Sequence, residues 1–343
     1  AAAGARLLLC AAYLMPGLIG RGPWKSADIA AFGYMAELAR STEGIARWFD
    51  PLLLGLRPET PALIPYWIGA LAIKLAPSWI SPDLAVRIAF ALLLWGAFTA
   101  TWYAVYYLAR TPRAQPVAFA FGGEALPKDY ARAIADGALL ALIASWGLAL
   151  AGHETTPALA QLFFASNMFY GVAALPFRRI GATVALAIGT LGMALSGGPT
   201  VALLLGAGAT VLIAADRRRT LVASTHDDGP GYSTAAVWTV LGITALAGAL
   251  AFGLGLVQSR IALPGHHITG SVSSDLRSLG KLLIWFTWPT WPLAMWTLWR
   301  WRRQLSARHV ALPLWFVLVP LAATLTTAFA ERSLLLALPA LAT

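Results

Sequence analysis

The stretch "PALIPYWIGALAIKLA", Pro61 to Ala76, decides how the rest of the chain is laid out. It is strongly apolar, yet it has only sixteen residues, is bracketed by Pro61 and Pro77, and carries Lys74. A helix needs about 20 apolar residues to cross a hydrocarbon core of about 30 Å. If this stretch crossed, every later loop would change sides. We read it instead as an amphipathic helix lying in a membrane interface, with Lys74 snorkelling toward water.

The flanking composition is what brings a membrane into the reading. Of 343 residues, 59% are hydrophobic and only 12% charged. Soluble domains carry about 25% charged residues, so this chain has too few charges to cover a water-soluble globule. Long apolar segments recur near 5–21, 84–109, 133–152, 156–175, 180–197, 199–215, 235–257, 281–299, 310–329 and from 333 onward. They are continuous rather than alternating with period two, which excludes a β-barrel pattern. The expected fold is an all-α polytopic membrane protein of about ten transmembrane helices. One integral domain spans 1–343. Thr343 falls inside an apolar run, so a C-terminal continuation is expected.

Charge sets the orientation. With the amino terminus inside, the inner loops hold Arg110, Arg113, Lys128, Arg132, Arg178, Arg179, Arg217, Arg218, Arg219, Arg300, Arg302, Arg303 and Arg308, thirteen cations in all. The short outer loops hold four, Arg260, Arg277, Lys281 and Arg332. This bias follows the positive-inside rule, and it accounts for the net charge of +10 without a nucleic-acid partner. It holds only while Pro61–Ala76 stays on one side. Residues 21–83 are then one long outer segment with two interfacial helices, the first over 26–42 with Ser26 as N-cap and Asp28 in its first turn. Residues 258–281 form a second outer loop. Inner loops 110–132 and 216–234 ("DRRRTLVASTHDDGPGYST") read as irregular.

The outer segment carries the candidate chemistry. Asp28 follows the first span by a few residues, in "PWKSADIAAFGYMAE". A carboxylate beside an apolar helix at the membrane surface can act as a base or a ligand, and it can equally serve as a helix-start residue satisfying the dipole. Glu59 sits in "LRPETPALIPYW", held by Pro58 and Pro61 in an extended turn at head-group level. Arg57 offers phosphate a fork of donors and Lys25 a point charge, while both also suit simple interfacial placement. Arg260, Arg277 and Lys281 in the second loop suit a phosphate or plain solvation. Arg332 stands beside Glu331 at the start of the last span. The adjacent His266 and His267 share no face, and the single cysteine, Cys10, lies within the first apolar run; no metal site and no disulfide is expected. The tryptophans of 285–299 fit an interfacial belt on a span kinked by Pro289 and Pro292. Asp136 and Glu154 read as acids at span ends.

Taken together, "PWKSADIAAFGYMAE" and "LRPETPALIPYWIGALAIKLAPSWISPDLAVRIAFAL" resemble the amino-terminal third of the GT-C fold glycosyltransferases. The resemblance is to the polyprenyl-phosphate-dependent aminoarabinose-transferase and protein mannosyltransferase group, the family 39-like enzymes. It covers about the first 110 residues, with a late echo in "RSLLLALPAL" from Arg332. It implies that Asp28 is the catalytic carboxylate and Glu59 the motif glutamate, with Pro61, the aromatic pair Tyr66 and Trp67, and Arg87 in their family places. Trp24 joins Tyr66 and Trp67 in the substrate loop. Ile29 stands where the family has a second acid, and Thr60 where it has a phosphate-holding lysine. The resemblance implies a glycosyltransferase without cofactor or metal. It would move a sugar from a polyprenyl-phosphate donor to a glycolipid or protein acceptor among the membrane lipids, on the periplasmic face of a bacterial inner membrane. Lys25, Arg57, Arg260, Lys281 and Arg332 would serve the donor phosphate. Two other classes are weighed beside it. A lipid-linked transporter or flippase needs polar groups at mid-membrane. A non-catalytic subunit of an envelope-assembly complex would accommodate Ile29 and Thr60.

Overall fold

The computed structural model describes residues 3–19, 22–116, 125–223, 230–257, 272–325 and 330–343. The described chain is helical, with an isolated bridge between Leu53 and Leu56 and no strand among the described residues. In order the helices are α1 (Ala3–Leu18), α2 (Ser26–Arg40), α3 (Ile45–Phe49), α4 (Ile64–Leu75), α5 (Pro82–Ala109), α6 (Pro127–Ala144), α7 (Trp146–Ala151) and α8 (Pro157–Ala174). They continue with α9 (Arg179–Leu195), α10 (Pro199–Ala223), α11 (Thr234–Gly253), α12 (Val272–Phe286), α13 (Thr290–Arg300), α14 (Arg308–Thr324), α15 (Ala330–Leu335) and α16 (Leu338–Leu341).

Every apolar segment read from the sequence carries helix. Among the described residues three helices are long and apolar enough to cross a bilayer by length and composition alone: Pro82–Ala109, Pro199–Arg219 and Thr234–Gly253. Others are shorter or interrupted. The segment 133–152 breaks at Ser145 into α6 and α7, and 281–299 breaks between α12 and α13. The two breaks meet. The Trp146 amide donates to the Trp288 carbonyl at 3.0 Å, and the Ser145 hydroxyl bonds the Leu142 carbonyl at 2.7 Å. Helix-interrupting backbone is tolerated at depth when protein buries and satisfies it, and Ser145 has no exposed surface. A Cβ on Gly147 would stand 2.2 Å from the Phe286 ring, so glycine is what lets the two breaks nest.

Three expectations are corrected. The polar run from Asp216 through Arg219 is not loop but the last turns of α10, because arginine is a good helix former and polarity does not end a helix that has left the apolar layer. Ser26 is the first residue of α2 rather than its cap; Lys25 stands at the cap position and no side chain caps the helix. Asp136 stands mid-helix rather than near a helix end, since α6 begins at Pro127. There Asp136 accepts from Trp102 Nε1 at 2.8 Å and pairs with Arg6 at 3.6 Å, and the Arg6 guanidinium lies 4.0 Å over the Trp102 ring. One charged knot thus ties α1, α5 and α6.

Helix α5 is the hub, packing on α1, α4, α6 and α8, and the most extensive pairing is α8 on α9. That pair approaches through glycine: a Cβ on Gly189 would lie 2.6 Å from the Met168 amide nitrogen and 2.7 Å from the Phe164 carbonyl oxygen. Close backbone approach through small residues is how helices associate where no hydrophobic force drives them.

Candidate active site

The sequence of α2 places Asp28, Ala31, Met35 and Leu38 on one face, with spacings of three, four and three residues, and all four are buried. That face packs on α4, where Gly69 makes room for Met35: a Cβ there would meet the sulfur at 2.2 Å. Because α2 lies on α4 along this stripe, Asp28 at its start turns inward and is 3% exposed.

Its partner comes from the connection between α7 and α8. The Thr155 amide donates to Asp28 Oδ1 at 2.7 Å, and the Thr155 hydroxyl donates to the same oxygen at 2.6 Å. Oδ2 has no hydrogen-bond partner among the described residues. Next to this clamp, Lys25 Nζ donates to Glu154 Oε1 at 2.5 Å and to the Leu150 carbonyl at 3.3 Å, and it lies 4.9 Å over the Trp24 ring. The segment "ETT" ahead of Pro157 therefore grips the start of α2 at two successive residues. Arg87 fixes the third side. It donates to the Leu18 carbonyl at 3.0 Å and to Asp83 Oδ2 at 2.5 Å, tying the end of α1 to the start of α5. Between these elements lies a cavity of about 10 Å³ lined by Leu14, Arg87, Phe90, His153, Thr155 and Leu159, among others. That is about the room of one water.

A second group lies further along the same helices. Tyr34 of α2 and Tyr66 of α4 pack with their rings tilted, centroids 5.3 Å apart. Burial pushes both phenols above their usual range. The Glu59 carboxylate adds to that for each, and the Arg332 guanidinium opposes it at Tyr66, so both charges sit within electrostatic reach of the pair. Glu59 itself is exposed. Thr60, at the position of the family lysine, faces the turn after α9. Gly197 there has φ +86°, and a Cβ on it would stand 2.5 Å from the Thr60 methyl. The Leu63 amide donates to the Leu195 carbonyl at 2.8 Å, locking the "RPETPA" segment onto that turn.

The remaining candidates separate. Trp67 is half-buried, its Nε1 donating to the Trp48 carbonyl at 2.6 Å, whereas Trp24 is exposed. Arg57 donates twice to Asp50, at 3.0 Å each, in water, where such pairs contribute little. Lys281 is exposed on α12, and among the described residues no hydrogen bond or ion pair joins it to the Asp28 group. Arg260, His266 and His267 lie outside the described residues. Sequence reasoning missed Thr155 and read Glu154 as a plain span-end acid. The signal available was "ETTP": an acid and two hydroxyls at the start of a span, on the side assigned to Asp28.

Chemically, the arrangement is a carboxylate held by one oxygen with the other left to bind a proton donor. A paired cation and two tyrosines lie along the same helices. No protein-family model matches the chain, and no curated protein sequence matches it. Solved structures do. The chain is similar to the crystal structure of ArnT from Cupriavidus metallidurans bound to undecaprenyl phosphate, with 16% identity and a TM-score of 0.64, covering 100% of this chain and 59% of that one. The same protein in the apo state matches with 17% identity and a TM-score of 0.63, again over 100% and 59% of the two chains. The chain therefore spans about three-fifths of the length of the structures it matches, and over its whole length it has their fold.

Proposed function

We propose that this chain is a multi-pass membrane glycosyltransferase that moves a sugar from a polyprenyl-phosphate carrier to a lipid or protein acceptor. The observation that carries the reading is the joint one. The fold is that of a protein crystallised with undecaprenyl phosphate, and at the family's acid position a buried carboxylate is held with one oxygen unpartnered among the described residues. In this reading the acceptor hydroxyl attacks the anomeric carbon, Asp28 Oδ2 takes its proton, and the carbon–oxygen bond to phosphate breaks with the electron pair leaving on the phosphate. Cations stabilise that developing charge. Arg332, near Tyr66, is the first candidate for the role, with Lys25 next if the incoming phosphate draws it from Glu154. Arg57, Arg260 and Lys281 are the outer cations available to the lipid head group, and Glu59, Tyr66, Trp67 and Trp24 line the approach. The site opens on the outer, periplasmic face of a bacterial inner membrane with the amino terminus inside, as the arginine distribution supports.

The test is transfer by membranes containing the protein, offered a panel of radiolabelled polyprenyl-phosphate sugars, with wild type beside Asp28→Asn. Transfer by the wild type and none by a well-expressed D28N is the expected result. Equal transfer by both removes Asp28 from the mechanism. No transfer from any donor favours a non-catalytic subunit, the reading that Ile29 and Thr60 would suit.

A further inference from the structure

We infer that Thr155 is a positioning residue for the reaction. It presents Asp28 to the acceptor by occupying one carboxylate oxygen with two donors and so fixes the other as the proton-accepting oxygen. The inference rests on the transferase reading above and adds to it a group from a distant part of the chain. Three observations carry it. Both donors of Thr155, amide and hydroxyl, converge on Oδ1, at 2.7 and 2.6 Å. A carboxylate gripped this way by a single residue cannot rotate about its terminal bond without breaking both bonds. Asp28 and Thr155 are both at most 3% exposed, so water does not compete for these donors. And Thr155 is itself immobilised. It is followed directly by Thr156, Pro157 and α8, which packs extensively on both α5 and α9, and preceded by Glu154, which holds Lys25. The carboxylate orientation is thereby referenced to the bundle rather than to the outer segment that bears it.

Thr155 need not touch either substrate, which separates its signature from that of a binding residue. A misaligned base slows the chemical step and leaves binding alone. The experiment is steady-state transfer by the full chain in membranes, with radiolabelled polyprenyl-phosphate aminoarabinose and polyprenyl-phosphate mannose as donors. It compares wild type, Thr155→Val, Thr155→Ser and Asp28→Asn. T155V keeps the side-chain shape and the amide donor but loses the hydroxyl. The expected result is a fall in kcat of about 10- to 100-fold with donor KM unchanged, and recovery to near wild type in T155S. Full kcat in T155V, or an equal loss in T155S, overturns the positioning role. D28N reports separately on the transferase reading: inactive D28N with fully active T155V sinks only this inference, whereas active D28N sinks both.

Thermal unfolding of the purified chain gives a second readout that needs no substrate. T155V lowers Tm by about 3 °C in the wild-type background and adds nothing once Asp28→Ala has removed the acceptor. Additive losses show that the two side chains are not coupled and refute the clamp whatever the donors do.

Discussion

Gly189 of α9 faces two backbone atoms of α8, and replacing it with alanine tests the packing directly. The new methyl would stand 2.6 Å from the Met168 nitrogen and 2.7 Å from the Phe164 oxygen, where ordinary contact begins at 3.4 Å. Side-chain ends can swing aside; a helix backbone cannot. The helices must separate locally by about 0.8 Å, and a gap of that size forfeits a quarter to a half of the dispersion attraction of each contact along the seam. Along the same seam Gly171 of α8 meets Ala182 and Leu186 of α9, and Gly192 of α9 meets Phe164 of α8. Overpacking of this kind costs about 2–3 kcal/mol after relaxation. The control is Gly242→Ala in the middle of α11, where an added Cβ meets nothing within 4 Å. There alanine gains up to about 1 kcal/mol of helix propensity. Thermal unfolding in one detergent, followed by loss of the monodisperse peak, should show G189A lower by about 5 °C and G242A at or above wild type. G189A unfolding at the wild-type temperature would refute the close approach of α8 and α9.

Other perturbations follow from the charged and polar anchors. Asp136→Ala removes the acceptor of Trp102 Nε1 and the partner of Arg6; a loss of about 2 kcal/mol is expected, discounted for partial exposure, and should appear as a lower Tm with early proteolysis of α1. Glu154→Gln frees Lys25 from its charge partner; if Lys25 then serves the donor phosphate, donor KM falls while Lys25→Met raises it, and unchanged KM in both removes Lys25 from the phosphate site. Tyr232, just before α11, donates to the Val172 carbonyl at 2.9 Å, and burial holds its phenol up at about 12. An unfolded tyrosine ionises near 10, so its contribution is complete below pH ~10 and is lost as pH rises from there toward 12. Wild type should lose Tm across that window more steeply than Tyr232→Phe; parallel curves would contradict the buried phenol.

Much of the architecture was legible because the bilayer imposes a length and a polarity on each segment. Residues 82–109 and 234–253 read cleanly for that reason, and Pro61–Ala76 emerged as the short helix α4 (Ile64–Leu75). The break at Ser145 was not legible: no proline marks it, Gly147 beside it reads as an ordinary helix glycine, and the Trp146 amide finds its acceptor in the Trp288 carbonyl of the α12–α13 break. The site divides the same way. Asp28 and Glu59 stood out by residue type and flanking prolines. Thr155 did not, because a threonine ahead of a helix looks like any cap, and the partner that gives it meaning is 127 residues away. Lys25 looked like a cation awaiting phosphate until Glu154 appeared beside it.

That separation has a consequence for biogenesis. When α1 and α2 have left the ribosome, neither the donors for Asp28 nor the counter-charge for Lys25 has been made. At about 5–20 residues per second, the 127 residues to Thr155 take on the order of ten seconds to synthesise. Through that interval an acid and a base wait on a segment whose main helical support is α4. An arrested nascent chain ending before Gly152 should therefore present Asp28 to water-soluble carboxyl reagents, and one extended past α8 should hide it. The setting of Asp28 is closed by the residues ahead of α8, not by its own helix.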